Sequence, residues 1–146
     1  MTSLRKSIVI AIVALPLFGA IAQSQQKSLY QRLGGYDAIA AVSDEFIARL
    51  AADDQEKRFF TAFSDDSKMR IRQNLVDFVC KATGGPCYYL GRDMKTAHTG
   101  SGITKADWDH SLQIFAEVLN KFSVPEQEQK DLAALLGPLQ GDIVQK

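Results

Sequence analysis

Apolar residues recur at helical spacing in four stretches of the chain. Between Tyr36 and Ala52 they stand at positions 39, 42, 46, 47 and 50, which form one face of a helix. The same spacing returns at positions 71, 75, 78, 79 and 82, then at 108, 112, 115, 119 and 122, and finally at 132, 135, 136, 139 and 143. No stretch alternates apolar and polar residues for long enough to suggest a strand. The pattern therefore predicts an all-α domain of four substantial helices.

Residues typical of helix ends mark several boundaries. Thr104 and Asp107 form a capping pair at the start of a helix predicted over 104–122. The Gly-Gly-Pro run at 84–86 predicts the end of the helix over 68–82, because glycine followed by proline is typical of a helix C-terminus.

Shorter elements connect these helices. We predict single helical turns over 29–33 and 93–98 and a polar loop over 64–67. Ser123 is expected to cap the last helix, and the Gly-Pro pair at 137–138 is expected to kink it.

The first 22 residues have the three-part layout of a secretory signal peptide. Arg5 and Lys6 supply positive charge, an uncharged and mostly apolar run covers 7–22, and small residues precede a predicted cleavage after Ala22. The alternative is a retained membrane anchor, but the run is shorter than the ~20 residues that span a bilayer. We therefore predict an exported, periplasmic domain over 23–146 without stable membrane insertion.

Composition and charge limit the kinds of macromolecule that the chain is expected to bind. Hydrophobic residues make up 46% of the chain and charged residues 23%, as in ordinary globular domains. The 17 basic and 17 acidic residues balance, and no basic stripe carries interleaved aromatic residues. A nucleic-acid partner is therefore not predicted.

The two cysteines, Cys80 and Cys87, flank the turn-forming run at 84–86. In an oxidising compartment such a pair is a candidate disulfide. The alternative is two unlinked thiols, with Cys80 filling a helix face. We favour the disulfide because the predicted export and the intervening turn both suit it.

Candidate chemistry centres on two histidines. His110 lies off the apolar stripe of its helix and is predicted to be a surface residue. His98 ends a short helical turn before a glycine-rich break, and from spacing alone a lone histidine is more often structural than a metal ligand. The chain has neither a Gly-x-Ser-x-Gly nucleophile elbow nor a phosphate-binding loop.

An ordered set of motifs over 28–144 resembles the group I truncated haemoglobins. The resemblance implies a two-over-two helical sandwich around haem b, which is iron protoporphyrin IX. The motifs are Leu29-Tyr30-x-x-Leu33-Gly34-Gly35, Phe46, the segment from Asp53-Asp54 to Phe59-Phe60, Gly84-Gly85-Pro86, Met94-Lys95-x-x-His98 and Gly102-Ile103-Thr104.

Site roles follow from the resemblance by position. It implies that His98 is the proximal ligand of the haem iron and that Phe60 packs on the haem face. Ile47 stands where many members have a tyrosine, while Ile71 and Leu75 stand where polar residues are frequent, so an apolar distal pocket is expected. The other expected haem contacts are Phe78, Met94, Trp108, Leu112 and Phe115.

The resemblance implies reversible binding of a diatomic gas, namely oxygen, nitric oxide or carbon monoxide. A nitric oxide dioxygenase or peroxidase-like enzyme stays open, although the missing distal tyrosine disfavours both activities. A periplasmic electron-transfer or haem-shuttling protein with a redox partner is a third hypothesis. The plainest alternative is a helical bundle without any cofactor.

Overall fold

The computed structural model describes residues 26–146, so the predicted signal peptide lies outside the described residues. Over that range the fold is entirely helical, which confirms the predicted all-α class. None of the described helices is both long and apolar enough to cross a membrane. In order, the elements are α1 (Leu29–Arg32), α2 (Gly35–Ala52), a 3₁₀ turn (Lys57–Phe59), α3 (Asp65–Ala82), α4 (Met94–His98), α5 (Lys105–Lys121), α6 (Glu126–Leu136), a second 3₁₀ turn (Gly137–Leu139) and α7 (Gln140–Ile143).

The core forms where the apolar faces of the long helices meet. Helix α2 packs against both α3 and α5. Ile39 of α2, Val76 of α3, Leu119 of α5 and Leu132 of α6 belong to one buried cluster, and Val76 is wholly buried. The four helices predicted from apolar periodicity are therefore the helices that build the core.

Helix α3 starts earlier than the sequence predicts. The segment 64–67, expected as a loop, is the cap and first turn of this helix, because the Ser64 side chain accepts a hydrogen bond from the Ser67 amide at 3.3 Å. Asp65 and Asp66 add negative charge at the positive end of the helix. Polar residues that looked like a loop therefore begin a helix.

Ser123 does not cap α6 as expected; it ends α5. Its φ of 53° is left-handed, its amide donates to the Asn120 carbonyl at 2.9 Å, and the Val124 amide donates to the Leu119 carbonyl at 2.9 Å. These two hydrogen bonds form a Schellman motif, which satisfies the last carbonyls of α5. Pro125 takes the cap position of α6 instead.

The same motif ends α3 at two glycines with different roles. Gly84 takes the left-handed position with a φ of 85°. The Gly85 amide donates to the Cys80 carbonyl at 2.8 Å. A Cβ atom at Gly85 would lie 2.5 Å from the Tyr30 ring and 2.6 Å from the Cys80 sulfur, so no larger residue fits there.

A disulfide joins Cys80, near the end of α3, to Cys87 in the following segment. The Cα atoms of the pair are 5.8 Å apart, and this is the pairing that the sequence favours. Cys80 is wholly buried in the core cluster. The bond therefore ties the start of the segment leading to α4 to the centre of the fold.

Buried Asp107 fastens the first 3₁₀ turn to the start of α5. Its carboxylate accepts hydrogen bonds from the Thr104 amide at 2.9 Å, from Gln55 at 3.0 Å and from Arg58 at 2.6 Å. Burial raises the pKa of Asp107, but these hydrogen bonds outweigh it and hold the pKa far below the usual range. The Thr104–Asp107 capping pair is thus present, and it also anchors the turn that precedes Phe60.

Glu56 lies beside this anchor without the same support. The side chain is buried, and its Oε1 atom has no hydrogen-bond partner. Burial, followed by the nearby Asp107 carboxylate, raises the pKa of Glu56. The Asp107 carboxylate therefore has hydrogen-bond donors around it, whereas ionised Glu56 would destabilise the folded protein.

His110 corrects the prediction of a simple surface residue. It is half-buried, and its Nε2 lies 2.9 Å from Oδ2 of Asp53. The hydrogen bond to Asp53 raises the pKa of His110 and lowers that of the aspartate. His110 therefore links α5 to the end of α2.

Opening the disulfide should lower the free energy of unfolding. We expect a loss of about 2 kcal/mol, because the bond restricts a short loop of the unfolded chain. Urea denaturation with and without dithiothreitol measures the change. The double variant Cys80→Ala/Cys87→Ala is the control, because reductant should leave its midpoint unchanged. An unchanged midpoint for the reduced wild-type protein would contradict the prediction.

Replacing Glu56 by glutamine should stabilise the fold at neutral pH. Well below pH 4.5 the carboxyl group is protonated in both the folded and the unfolded state. As pH rises from about 4.5 toward the elevated folded pKa, the unfolded wild-type chain ionises this group while the folded protein keeps it protonated. The relative stability of the wild-type protein therefore falls over this window and levels off above the folded pKa. We expect an advantage of about 1 kcal/mol or more at pH 7 for Glu56→Gln.

Denaturation midpoints at pH 4.5, 5.5 and 7 measure this difference. The exposed Glu126, replaced in the same way, serves as the control. An advantage of Glu56→Gln that stays constant over this range would show that ionisation of Glu56 does not cause it.

Candidate functional site

The His98 ring presents one free nitrogen. Nδ1 lies 2.8 Å from the main-chain carbonyl oxygen of Met94. Because a carbonyl oxygen only accepts hydrogen bonds, Nδ1 must carry a proton, and in the neutral ring Nε2 then keeps its lone pair. Within residues 26–146 no hydrogen bond reaches Nε2, and the side chain is half-buried. Histidines that bind metals characteristically donate their other N–H in this way.

Helix α4, which carries His98, is capped at its start by Asp93. The Asp93 carboxylate accepts hydrogen bonds from the Thr96 amide at 2.8 Å and from the Thr96 hydroxyl at 2.7 Å. These hydrogen bonds lower the pKa of Asp93. Before the cap, the Tyr89 hydroxyl donates to the Arg92 carbonyl. Local hydrogen bonds thus order the segment that leads into α4.

Tyr89 belongs to no sequence motif, yet it connects the segment before α4 to α3. Its ring meets the Phe78 ring edge-to-face, with the centroids 5.3 Å apart. An aromatic residue in a loop of no regular period gives no signal of its own. The contact places Phe78, one of the expected haem contacts, beside the segment that leads to His98.

An open surface cavity of about 550 Å³ lies beside Ile47, one of the predicted distal residues. Arg72 in its wall is held by Asp44 through two hydrogen bonds of 2.6 and 3.0 Å. His98 is not among the lining residues, so this cavity alone does not join the two predicted sides of the site. Its lining residues are Ile47, Lys68, Met69, Arg72 and Gln73.

Gln73 of this wall points its amide elsewhere. Its nitrogen donates to the Tyr36 hydroxyl at 2.8 Å and to the Asp77 carboxylate at 3.0 Å. The side chain therefore already has partners on the outer face of α3. Of the other lining residues, Ile47 offers no hydrogen-bonding group.

The other predicted site residues differ in exposure. Trp108 is buried, and Leu112 is 40% exposed. Phe115 packs edge-to-face on Phe46, with the ring centroids 5.0 Å apart. The half-buried members of the predicted set are Phe60, Ile71, Leu75, Phe78, Met94 and Phe115. Helices α3 and α5 thus keep apolar surface that the described chain leaves partly uncovered.

These residues fit the haem that the resemblance implies. The fit rests on the free Nε2 of His98, because imidazole is the usual axial ligand of globin iron. Partly uncovered apolar side chains on α3 and α5 suit a flat apolar macrocycle. His110 is the weaker candidate ligand, because Asp53 already occupies its Nε2.

Sequence comparisons identify close relatives. The family model for bacterial-like globins matches residues 28–145. The group 1 truncated hemoglobin GlbN of Mycolicibacterium paratuberculosis is 31% identical over 121 residues, which cover 83% of this chain and 87% of that protein. The GlbN protein of Synechocystis sp. is 33% identical over 114 residues, covering 75% of this chain and 90% of that protein.

Solved structures agree with these relatives. The Fe(III) form of truncated hemoglobin from Tetrahymena pyriformis superposes with a TM-score of 0.74 at 26% identity, covering 82% of this chain and all of that chain. The 2/2 hemoglobin of Synechococcus sp. superposes with a TM-score of 0.74 at 25% identity, with the same coverage of both chains. The two-over-two sandwich and the resemblance read from the motifs are confirmed. The chain belongs to the bacterial-like globin family and is a truncated haemoglobin of the 2/2 fold.

Proposed function

We propose that this haemoglobin binds a diatomic gas at a b-type haem whose iron is ligated by His98. Globins bind diatomic gases, and the family implies a haem cofactor. The observation that carries the proposal is the His98 ring, with Nδ1 bonded to the Met94 carbonyl and Nε2 unengaged. Nε2 of His98 has no hydrogen-bond partner in the described chain, whereas Nε2 of His110 is paired with Asp53.

Haem, when bound, supplies the iron that takes up the gas. The protein's part is to hold and orient the proximal imidazole and to exclude water. The Met94 carbonyl fixes the tautomer of His98 and raises the basicity of Nε2. Phe60 and Phe78 would supply apolar walls to the haem pocket. These side chains would lower the polarity around the bound iron.

The three side chains proposed for the distal wall cannot donate hydrogen bonds. Ile47, Ile71 and Leu75 are apolar, and all three are half-buried. The donors of Arg72 and Gln73 in the neighbouring open cavity are engaged by other side chains. An oxygen molecule held there would gain no hydrogen bond from these side chains. We therefore propose that oxygen dissociates rapidly from this protein. The affinity for carbon monoxide or nitric oxide should depend less on the lack of a distal hydrogen-bond donor. A redox partner would be needed to keep the iron ferrous.

We also propose that the domain over 23–146 is exported to the periplasm. The disulfide between Cys80 and Cys87 supports this location, because such bonds persist in oxidising compartments. Fractionation of cells expressing the full chain, with sequencing of the mature N-terminus, tests the proposal.

Replacing His98 by alanine should abolish normal haem coordination. We expect the ferrous and carbon-monoxide spectra of His98→Ala to lose the features of a histidine-ligated haem, and added imidazole to restore them in part. Absorption spectra of haem-reconstituted protein measure this change.

His110→Ala is the matched control, because its partner is Asp53 and it should keep the wild-type spectrum. Identical spectra for His98→Ala and the wild-type protein would exclude His98 as the ligand. Absence of any haem uptake by the wild-type protein would refute the proposed function as a whole.

Replacing Ile47 by tyrosine should slow oxygen release. A phenol hydroxyl adds one donor to the distal side, and one hydrogen bond to a polarised ligand slows dissociation about tenfold. Ile47→Phe is the control, because it adds a similar ring without the hydroxyl group. Stopped-flow oxygen and carbon monoxide dissociation rates measure the effect. Equal oxygen release from the tyrosine and phenylalanine variants would place position 47 away from the bound gas.

A further inference from the structure

The helix that carries His98 is too short to be stable alone. Helix α4 has five residues, whereas isolated helices shorter than about 12 residues are marginal in water. Its orientation must therefore be imposed by the rest of the fold. Among the element pairs of the described chain, α4 packs against α7, close to the end of the sequence.

The segment after α7 returns to the proximal region through main-chain hydrogen bonds. The Gln145 amide donates to the Ile103 carbonyl at 2.8 Å, and the Lys105 amide donates to the Lys146 carbonyl at 3.3 Å. These two bonds fix residues 145–146 beside the start of α5. They also fix where the Gln145 side chain begins.

The Gln145 side chain then bridges the two ends of the 98–102 turn. Its Nε2 donates to the His98 carbonyl at 2.6 Å. Its Oε1 accepts a hydrogen bond from the Gly102 amide at 3.0 Å. A primary amide is needed for this arrangement, because a carboxylate cannot donate and an aliphatic side chain can do neither.

The His98 carbonyl is the focus of these contacts. It accepts hydrogen bonds from the Ser101 amide at 3.0 Å and from the Ser101 hydroxyl at 2.6 Å, in addition to the bond from Gln145. Gly100 and Gly102 on the same turn have positive φ values of 84° and 70°, so glycine suits both positions. Local bonds shape the turn, and Gln145 is the side chain that connects it to a distant part of the chain.

We propose that Gln145 is a positioning residue for the His98 imidazole. It acts through the backbone: the amide fixes the His98 carbonyl, the Met94 carbonyl fixes Nδ1, and together they set the direction of Nε2. The inference rests on the proposed function, since it assigns Gln145 a role in proximal ligation. Gln145, 47 positions along the chain from His98, would thus help to orient the iron ligand.

The first experiment uses the haem-free protein with Gln145→Ala and Gln145→Glu. The alanine variant removes the acceptor of the Gly102 amide, so we expect this amide to exchange with deuterium about fivefold faster, the change expected for one lost hydrogen bond. The glutamate variant keeps that acceptor and replaces the donor to His98 by an oxygen that repels the carbonyl, so we expect the Gly102 amide to stay protected there. Amides of α2 and α3 should exchange as in the wild-type protein. Gln26→Glu, at an exposed position, controls for the added charge.

The second experiment uses the haem-loaded ferrous protein. We expect Gln145→Glu to shift the iron–histidine stretching frequency in resonance Raman spectra and to speed haem loss to apomyoglobin about fivefold. Gln26→Glu should change neither measurement. Gln145→Ala, which lacks both hydrogen-bonding atoms, should shift the frequency in the same way without introducing charge.

The outcomes separate the two proposals. Faster Gly102 exchange in Gln145→Ala, together with a shifted iron–histidine frequency in Gln145→Ala and Gln145→Glu, supports the positioning role. Faster exchange in Gln145→Ala with an unchanged frequency overturns it, because Gln145 would then only support the turn. Unchanged Gly102 exchange in Gln145→Ala also overturns it. A wild-type protein that shows no iron–histidine band, while His98→Ala has the same spectrum, refutes the proposed function itself.

Discussion

A helix of five residues must be held from outside, and the proximal side of this globin depends on that constraint. On the upstream side, the disulfide anchors Cys87 to the core, and Tyr89 rests against Phe78. On the downstream side, Thr104 and Asp107 fix the start of α5. The His98 ring can keep one direction only because the chain on both sides of α4 is fastened.

Hydrogen bonding to buried carboxylates likewise explains the polar junction between α2 and α5. Asp107 lies in the protein interior with hydrogen bonds from several donors, whereas Glu56 beside it has an unpaired oxygen. A buried carboxylate is tolerated when donors surround it and is costly otherwise. Together with the Asp53–His110 pair, Asp107 holds the turn that precedes Phe60.

The long helices were predictable because their signal is local and repeated. Apolar spacing identified α2, α3, α5 and α6, and the capping pair at Thr104 placed the start of α5 correctly. The errors occurred where one residue type serves two purposes. Ser64 could begin a helix or sit in a loop, and Ser123 could open α6 or end α5. The residue type permits both outcomes, and the local hydrogen bonds that the folded backbone forms decide between them.

The candidate site was much less accessible to sequence reasoning. Spacing alone identified neither His98 nor His110 as an iron ligand, and it is the partners of their ring nitrogens that distinguish them. The partner of His110 is Asp53, 57 positions away, and no periodicity connects the two. The family motifs supplied what local patterns lacked, because an ordered set of weak signals carries information about long-range arrangement. Tyr89 and Gln145 lie outside both kinds of signal.

The two disulfide-bonded cysteines are unequally buried, and this governs how the bond between them is opened. Cys80 is wholly enclosed, whereas Cys87 is only half-buried, so an attacking thiolate meets the Cys87 sulfur first. The sulfur that must then leave is that of Cys80, in an apolar interior where a thiolate is poorly stabilised. A poor leaving group slows thiol–disulfide exchange. The packing of α3 therefore protects this cross-link kinetically, independently of the redox balance of the surroundings.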